Sequence, residues 1–232
     1  MIKAICFDLD GTLLPLNQEI FTKAYFHALT AAMQPYGYEP EKLIQTIWKG
    51  TGAMVRNDGR KTNETVFWNI FREVYGNDYD CEIFNRFYKQ KFDTAKAVCG
   101  FNPQANEAIQ TLKQAGYALV LASNPIFPMV AQQHRMQWAG VDPSDFTYIT
   151  SYENSFYCKP NPAYYQALTQ TIGCRPQDCL MVGNDVTEDM VAQTTGMKVF
   201  LMTECLINPK NTDISVYPHG GFRELLDFVK AQ

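Results

Sequence analysis

Short apolar runs that end at polar residues alternate with helical patterns along much of the chain. The run 2–7 is apolar and stops at two acidic residues, which predicts a buried strand. Asparagine, proline and glycine mark where several of the intervening helices begin and end. Further strands are predicted at 117–122, 146–150, 179–182 and 197–202, and helices from 105 to Gly116, from Asn161 to Gly173, from 185 to Gly196 and over 222–230. Strands that alternate with helices imply an α/β fold with a parallel sheet covered on both faces.

The segment 15–96 breaks this alternation. Its large aromatic residues recur at helical spacing, and no part of it has a convincing strand pattern. Packing within a small helical unit explains these rings better than the alternative, a cofactor site. We therefore expect an α/β core formed by 1–14 and 97–232, with a helical insertion at 15–96 after the first strand.

Composition narrows the possible partners and location. Of 232 residues, 46% are apolar and 19% are charged, as is typical of a globular chain. The net charge is −4 and there is no run of Lys or Arg, so a nucleic-acid partner is not expected. No apolar run reaches the ~18 residues of a membrane helix, and the first run does not resemble a signal peptide. The seven cysteines form no C-x-x-C pair, which favours reduced thiols in a cytoplasmic protein.

Four polar segments lie at or just beyond the ends of predicted strands. Each of them, taken alone, is typical of a turn or of a helix N-terminus. Together, and in this order, they indicate a site, because parallel sheets bind ligands at the carboxyl edge. The segments are 8–13 (D-L-D-G-T-L), Ser123-Asn124, Lys159-Pro160 and 183–189 (G-N-D-V-T-E-D).

The charges of these segments favour a cation and a phosphate. Asp8, Asp10 and Asp185 would converge at one edge, where two unit charges 4 Å apart repel by roughly 4 kcal/mol at a dielectric near 20. Carboxylate oxygens without nearby His or Cys favour Mg²⁺. Lys159 would add a fixed positive charge, so that a phosphate could bind between it and Mg²⁺. Gly11 would let the backbone approach the ligand closely.

The order D-x-D-G-T, strand-ending Ser, Lys-Pro and G-N-D-x-x-x-D resembles the haloacid dehalogenase-like (HAD) superfamily. The resemblance covers most of 1–14 and 97–232. It implies a Rossmann-like parallel-sheet core, and the insertion at 15–96 resembles the helical C1-type cap of that superfamily. It also implies a Mg²⁺-dependent phosphatase that hydrolyses a small phosphorylated metabolite through an aspartyl-phosphate intermediate.

The resemblance assigns catalytic roles to three side chains. Asp8 resembles the nucleophile that attacks phosphorus. Asp10 resembles the general acid that protonates the leaving group and then the base that activates water. Lys159 resembles the lysine that steadies both the nucleophile and the transferring phosphoryl group.

It also implies binding and metal-ligating residues. Ser123 resembles the hydroxyl that binds the phosphoryl group, with Asn124 beside it. Asp185 resembles a Mg²⁺ ligand, together with Asp8 and the Asp10 carbonyl. Asp189 would either bind the metal through water or position Lys159.

The same residues bear on rival functions. A C–halogen hydrolase of this superfamily lacks the acid two residues after the nucleophile, and a phosphonate hydrolase calls for a lysine in the cap; both are disfavoured here. A phosphomutase shares the core motifs and stays open. A non-catalytic binding module would be attractive only if Asp8, Asp10, Lys159 or Asp185 were replaced, and none is.

The substrate and the oligomeric state are not specified by the sequence. Sugar phosphates, phosphoglycolate and nucleoside monophosphates all stay open. The Asp-Ser pair that many phosphoglycolate-type relatives carry after the first motif is absent, since 13–16 is L-L-P-L. The insertion is expected to be a mobile cap. In it, the glycine-rich stretch 49–52 is expected to form a loop that reaches the leaving group, with Arg56 as a substrate contact. The alternative is a solvated connection between cap helices.

Overall fold

A single parallel sheet forms the centre of the protein. The computed structural model describes residues 1–77 and 79–232. Within these ranges the strands are β1 (Ala4–Phe7), β2 (Ala118–Leu121), β3 (Tyr148–Ile149), β4 (Cys179–Gly183), β5 (Lys198–Met202) and β6 (His219–Gly220). Their order is β3-β2-β1-β4-β5-β6, and every neighbouring pair is parallel. The predicted α/β fold with a Rossmann-like sheet is therefore confirmed, while the two-residue β6 was not predicted.

Helices cover the two faces of the sheet. The described helices are α1 (Gln18–Met33), α2 (Pro40–Val55), α3 (Asn63–Tyr75), α4 (Cys81–Gln90), α5 (Pro103–Gln114), α6 (Met129–Trp138), α7 (Pro162–Thr171) and α8 (Phe222–Lys230). Alternate residues of β1 point to opposite faces, as the period of a strand requires. Ile5 and Phe7 join the apolar cluster that includes residues of α5 and α8, whereas Ala4 and Cys6 join the cluster that includes residues of α7.

The segment 15–96, which was predicted to be helical, contains α1 to α4, and α4 is followed by a 3₁₀ helix at Phe92–Val98. In α1 an apolar stripe with a spacing of four residues is buried, and its members are Phe21, Tyr25, Leu29 and Met33. These side chains belong to the same apolar cluster as the β1 residues Ile5 and Phe7. The described residues contain no helix that is both long and apolar enough to cross a membrane. The division into a core and a cap at 15–96 stays a prediction.

Two local expectations were wrong. The stretch 49–52 lies inside α2 and is not a loop. Gly50 is needed there for packing, because a Cβ at this position would lie 2.6 Å from the ring of Phe67 on α3. The segment 185–195 is not one regular helix but a series of turns followed by a 3₁₀ helix, Met190–Thr195. The Asp185 carboxylate accepts hydrogen bonds from two backbone N–H groups at 2.7 and 2.9 Å, which favours a turn over a continuous helix.

Candidate active site

The carboxyl ends of β1, β2 and β4 open into one cavity of about 280 Å³. β1 and β4 are neighbours although they are distant in sequence, and ligands of such sheets bind where the strand order reverses. The structure brings most of the predicted site residues to the lining of this cavity, namely Asp8, Asp10, Ser123, Asn124, Asp185 and Asp189. The order of the strands explains why segments far apart in sequence meet here.

Lys159 joins two of these carboxylates. Its side chain is 1% exposed, and its Nζ donates to Asp8 Oδ1 at 2.9 Å and to Asp189 Oδ1 at 2.6 Å. Burial alone would lower the pKa of Lys159, but the charges of Asp189 and Asp8 outweigh burial and raise that pKa well above its usual value. The other oxygen of Asp189 accepts from the Asp185 N–H at 3.0 Å. Asp189 therefore contacts Lys159, as one of its two predicted roles requires, and the role itself stays a prediction.

Asp10 is paired with an arginine that lies outside the four sequence motifs. Arg135, on α6, is 1% exposed and donates through Nη1 to Asp10 Oδ2 and through Nη2 to Gln132 Oε1. Its Cζ lies 4.5 Å from the centre of the Phe127 ring. Burial raises the pKa of Asp10, and the neighbouring Arg135 opposes this rise. The predicted proton donor is thus held in a fixed direction by a buried cation.

The sequence does carry a weak signal for Arg135. Ala131 and Met136 are buried on the same helix, so a charged residue at 135 falls on an apolar, core-facing stripe. A buried arginine requires an anionic partner. Nothing in the sequence indicates which carboxylate that is, since Asp10 lies 125 positions away.

Ser123 and Asn124 lie side by side at the end of β2. The Ser123 carbonyl accepts hydrogen bonds from Thr150 Oγ1 at 2.8 Å and from the Tyr164 hydroxyl at 3.0 Å, which fixes this strand end. Asn124 Nδ2 donates to Glu188 Oε2 at 3.2 Å. Glu188, which had no predicted role, also lines the cavity, and burial raises its pKa. The cavity therefore contains one more carboxylate than expected.

Gly11 permits the tight turn of the first motif. Its φ is +87°, and a Cβ at this position would lie 2.2 Å from Asn184 Nδ2. Thr12 Oγ1 lies 3.1 Å from Asn184 Oδ1 and 3.2 Å from Asp8 Oδ2, within hydrogen-bonding distance of both. Gly11 thus approaches the side chain of Asn184 closely, which links the first and fourth motifs. Its predicted close approach to a ligand stays a prediction.

The donor set fits Mg²⁺. The lining contains the carboxylates of Asp8 and Asp185, and Asp10 Oδ1 is a buried oxygen without a hydrogen-bond partner. Protein sites for Mg²⁺ commonly use one or two carboxylates, with water and substrate phosphate completing the shell. Across residues 1–77 and 79–232, no three His, Cys, Asp or Glu side chains are grouped closely enough to hold a metal alone. These residues therefore suit a metal ion whose coordination shell is completed by the substrate. They suit a closed structural metal site less well.

Arg56 lies apart from this group. It follows the last residue of α2, is exposed, and does not line the described part of the cavity. Its predicted contact with the substrate therefore finds no support in this arrangement. Thr51, from the same predicted loop, does line the cavity, but as a helical residue.

Comparisons with known proteins extend the resemblance beyond the motifs. The phosphoglycolate phosphatase of Aliivibrio fischeri is 27% identical over 210 residues, covering 87% of this chain and 84% of that protein. The glyceraldehyde 3-phosphate phosphatase of Methanothermobacter thermautotrophicus is also 27% identical, covering 87% and 86%. The crystal structure of a HAD phosphatase from Thermococcus onnurineus matches with a TM-score of 0.60 and 17% identity, over 98% of both chains. The family model of the haloacid dehalogenase-like hydrolases matches residues 2–192. The protein therefore belongs to the haloacid dehalogenase-like hydrolase family.

Proposed function

We propose that this protein is a Mg²⁺-dependent phosphatase that hydrolyses a small phosphate monoester through a phosphorylated Asp8. The observation that carries the proposal is the contact between Lys159 and Asp8, 2.9 Å long, at the cavity that also contains Asp10 and Asp185. Two relatives that align over 87% of this chain are named phosphatases. Their substrates differ, so the names support the reaction type and leave the substrate open.

The first half of the reaction transfers the phosphoryl group to the protein. An Asp8 oxygen attacks phosphorus, the new O–P bond forms, and the bond between phosphorus and the ester oxygen breaks. Asp10 gives its proton to the departing oxygen, so that the product leaves as a neutral alcohol. Lys159 holds the attacking carboxylate in place, and Ser123 with Asn124 binds the phosphoryl oxygens.

The second half returns Asp8 to its starting state. Asp10, now ionised, takes a proton from a water molecule that attacks phosphorus, and the bond to Asp8 breaks to release inorganic phosphate. Asp8, Asp185 and the Asp10 carbonyl would hold Mg²⁺. When bound, the ion neutralises charge on the phosphoryl oxygens and on the carboxylates around them.

We also propose that the helices of 15–96 act as a cap that excludes water and sets specificity. Residues of α1 to α4 line the same cavity as Asp8 and Asp10. The chain leaves the sheet just after these aspartates and returns beside them, since Leu16 pairs with Cys99. Movement of the cap would open and close the site.

The test is phosphate release from a generic aryl phosphate. The full chain should release phosphate with Mg²⁺, lose activity in EDTA and regain it when Mg²⁺ is restored. Asp8→Asn should reduce turnover by at least about 10³-fold, because it removes the nucleophile. The control Asp58→Asn changes an exposed aspartate outside the cavity and should keep wild-type turnover. Full activity in EDTA contradicts the metal requirement, and full activity of Asp8→Asn contradicts the mechanism.

A further inference from the structure

The cavity beyond the catalytic carboxylates is built mainly of aromatic rings. In the part of the lining that the structure describes, ten side chains are aromatic, and most of these come from the helices of 15–96. Rings on three of those helices include Trp48, Phe67, Trp68 and Tyr88. Such walls favour planar, apolar groups, because aromatic pairs gain stability beyond the area that they bury.

The cavity offers little to a charged leaving group. In the described part of the lining, Arg135 is the one cationic side chain. Its positive charge is already paired with the Asp10 carboxylate, and its Nη2 donates to Gln132. Five carboxylates line the same space, and they would repel a carboxylate on the substrate. A substrate whose alcohol part is anionic would therefore lose its hydration without gaining a counterion.

The size of the cavity sets a further limit. An apolar cavity of about 150 Å³ is large enough for benzene. The present cavity, of about 280 Å³, has room for one such ring in addition to a phosphoryl group at the carboxylate end.

We propose that the substrate is a phosphate monoester of an uncharged alcohol that carries one aromatic or heteroaromatic ring, bound among the rings of α1 to α4. This inference rests on the proposed phosphatase function and narrows its substrate class. It separates this chain from the relative named phosphoglycolate phosphatase, whose named substrate has a carboxylate in place of the ring.

The inference is tested with four esters of primary alcohols, so that leaving-group reactivity differs little. These are benzyl phosphate, cyclohexylmethyl phosphate, ethyl phosphate and phosphoglycolate, assayed for kcat/KM with the full chain and Mg²⁺. Benzyl phosphate should exceed ethyl phosphate and phosphoglycolate by about 100-fold, as expected from burying a ring. It should exceed cyclohexylmethyl phosphate by about threefold, through ring–ring contacts.

A variant connects the preference to the cavity. Trp48 lines the cavity but is 53% exposed, so Trp48→Ala should fold normally. It should lower the ratio of benzyl to ethyl phosphate by about fivefold, through loss of one ring contact. Phe101→Ala removes an aromatic side chain that is 64% exposed and lies outside the cavity, and it should leave the ratio unchanged.

The outcomes separate the two proposals. Hydrolysis of ethyl phosphate or phosphoglycolate with no advantage for benzyl phosphate overturns the substrate class and leaves the phosphatase function intact. A preference for cyclohexylmethyl over benzyl phosphate overturns the aromatic assignment. If Trp48→Ala and Phe101→Ala lower the ratio of benzyl to ethyl phosphate equally, the lining of the cavity is not responsible for the preference. If the protein hydrolyses neither an aryl phosphate nor any of the four esters, both proposals are overturned.

Discussion

Replacing Arg135 with methionine should destabilise the protein strongly. The change keeps an unbranched apolar stem but removes the guanidinium, which is buried between Asp10 and Gln132. Removing one member of a buried ion pair is costly chiefly because the remaining charge has no partner. Arg135→Met also ends the contact between the guanidinium and the Phe127 ring.

The magnitude follows from the burial of the partners. Loss of one member of a buried pair costs about 3–5 kcal/mol. The Asp10 side chain is 23% exposed, so water can compensate in part, and the lower end of that range applies. Gln132 is fully buried, and its Oε1 loses the hydrogen bond that Arg135 donates to it. This loss adds about 1 kcal/mol to the cost. The sum of about 4 kcal/mol corresponds to a fall in Tm of about 8–16 °C for a chain of this size.

Urea unfolding followed by far-UV circular dichroism measures this cost, with the slope of the transition checked for constancy. The matched control is Arg60→Met, because Arg60 pairs with Asp58 at the surface, 2.5 Å apart with side chains 86% and 54% exposed. The control should change the free energy of unfolding by less than about 1 kcal/mol. If the two variants lose the same stability, the reasoning about the buried pair is refuted.

Two further predictions concern backbone and pH. Gly11→Ala should lower the free energy of unfolding, measured in urea, by roughly 2 kcal/mol more than Gly37→Ala does. Both glycines have a positive φ, +87° and +85°, but only at Gly11 would the new Cβ meet a neighbour, Asn184 Nδ2 at 2.2 Å. Equal losses of stability contradict the clash. Burial alone would raise the pKa of Asp93, but its hydrogen bonds with His134 and Trp138 outweigh burial and lower that pKa below 3.8. This stability is present above pH 3.8 and is lost as the pH falls through the lowered pKa. Asp93→Asn should therefore be less stable than wild type at pH 6, and the difference should shrink as the pH falls below 3.8; a difference that does not change with pH contradicts the assignment.

The sequence predicted the sheet well because local signals define it. The apolar runs before Asp8 and before Gly183 are short and strand-like, and both are strands with the predicted carboxylates beyond their ends. Helix α8 begins and ends at the predicted residues, because its apolar spacing is regular. The four motifs could be expected at one edge without knowing the strand order, because all the strands of a parallel sheet end at the same edge.

The remaining features depend on contacts between distant segments. Gly50 and Gly52 resemble loop residues in the sequence, yet both lie in α2, where Phe67 packs directly against Gly50. The pairing of Arg135 with Asp10 is likewise not predicted by any local sequence pattern, because the two residues are 125 positions apart. The aromatic residues of 15–96 were expected to pack among themselves, and many do, but several also line the cavity. Spacing alone cannot distinguish a ring that is buried from one that faces a ligand.

The central claim, that Asp8 carries the phosphoryl group, is tested most directly by trapping it. The Asp10→Asn variant should form the intermediate from an aryl phosphate, whose leaving group needs little protonation, and hydrolyse it slowly for lack of a base. After rapid acid quenching, mass spectrometry of the peptides should find one added phosphoryl group on Asp8. The adduct should be absent from the variant that also carries Asp8→Asn. A burst of released aryl alcohol with no phosphoryl group on Asp8, or with the group on another residue, would contradict the account.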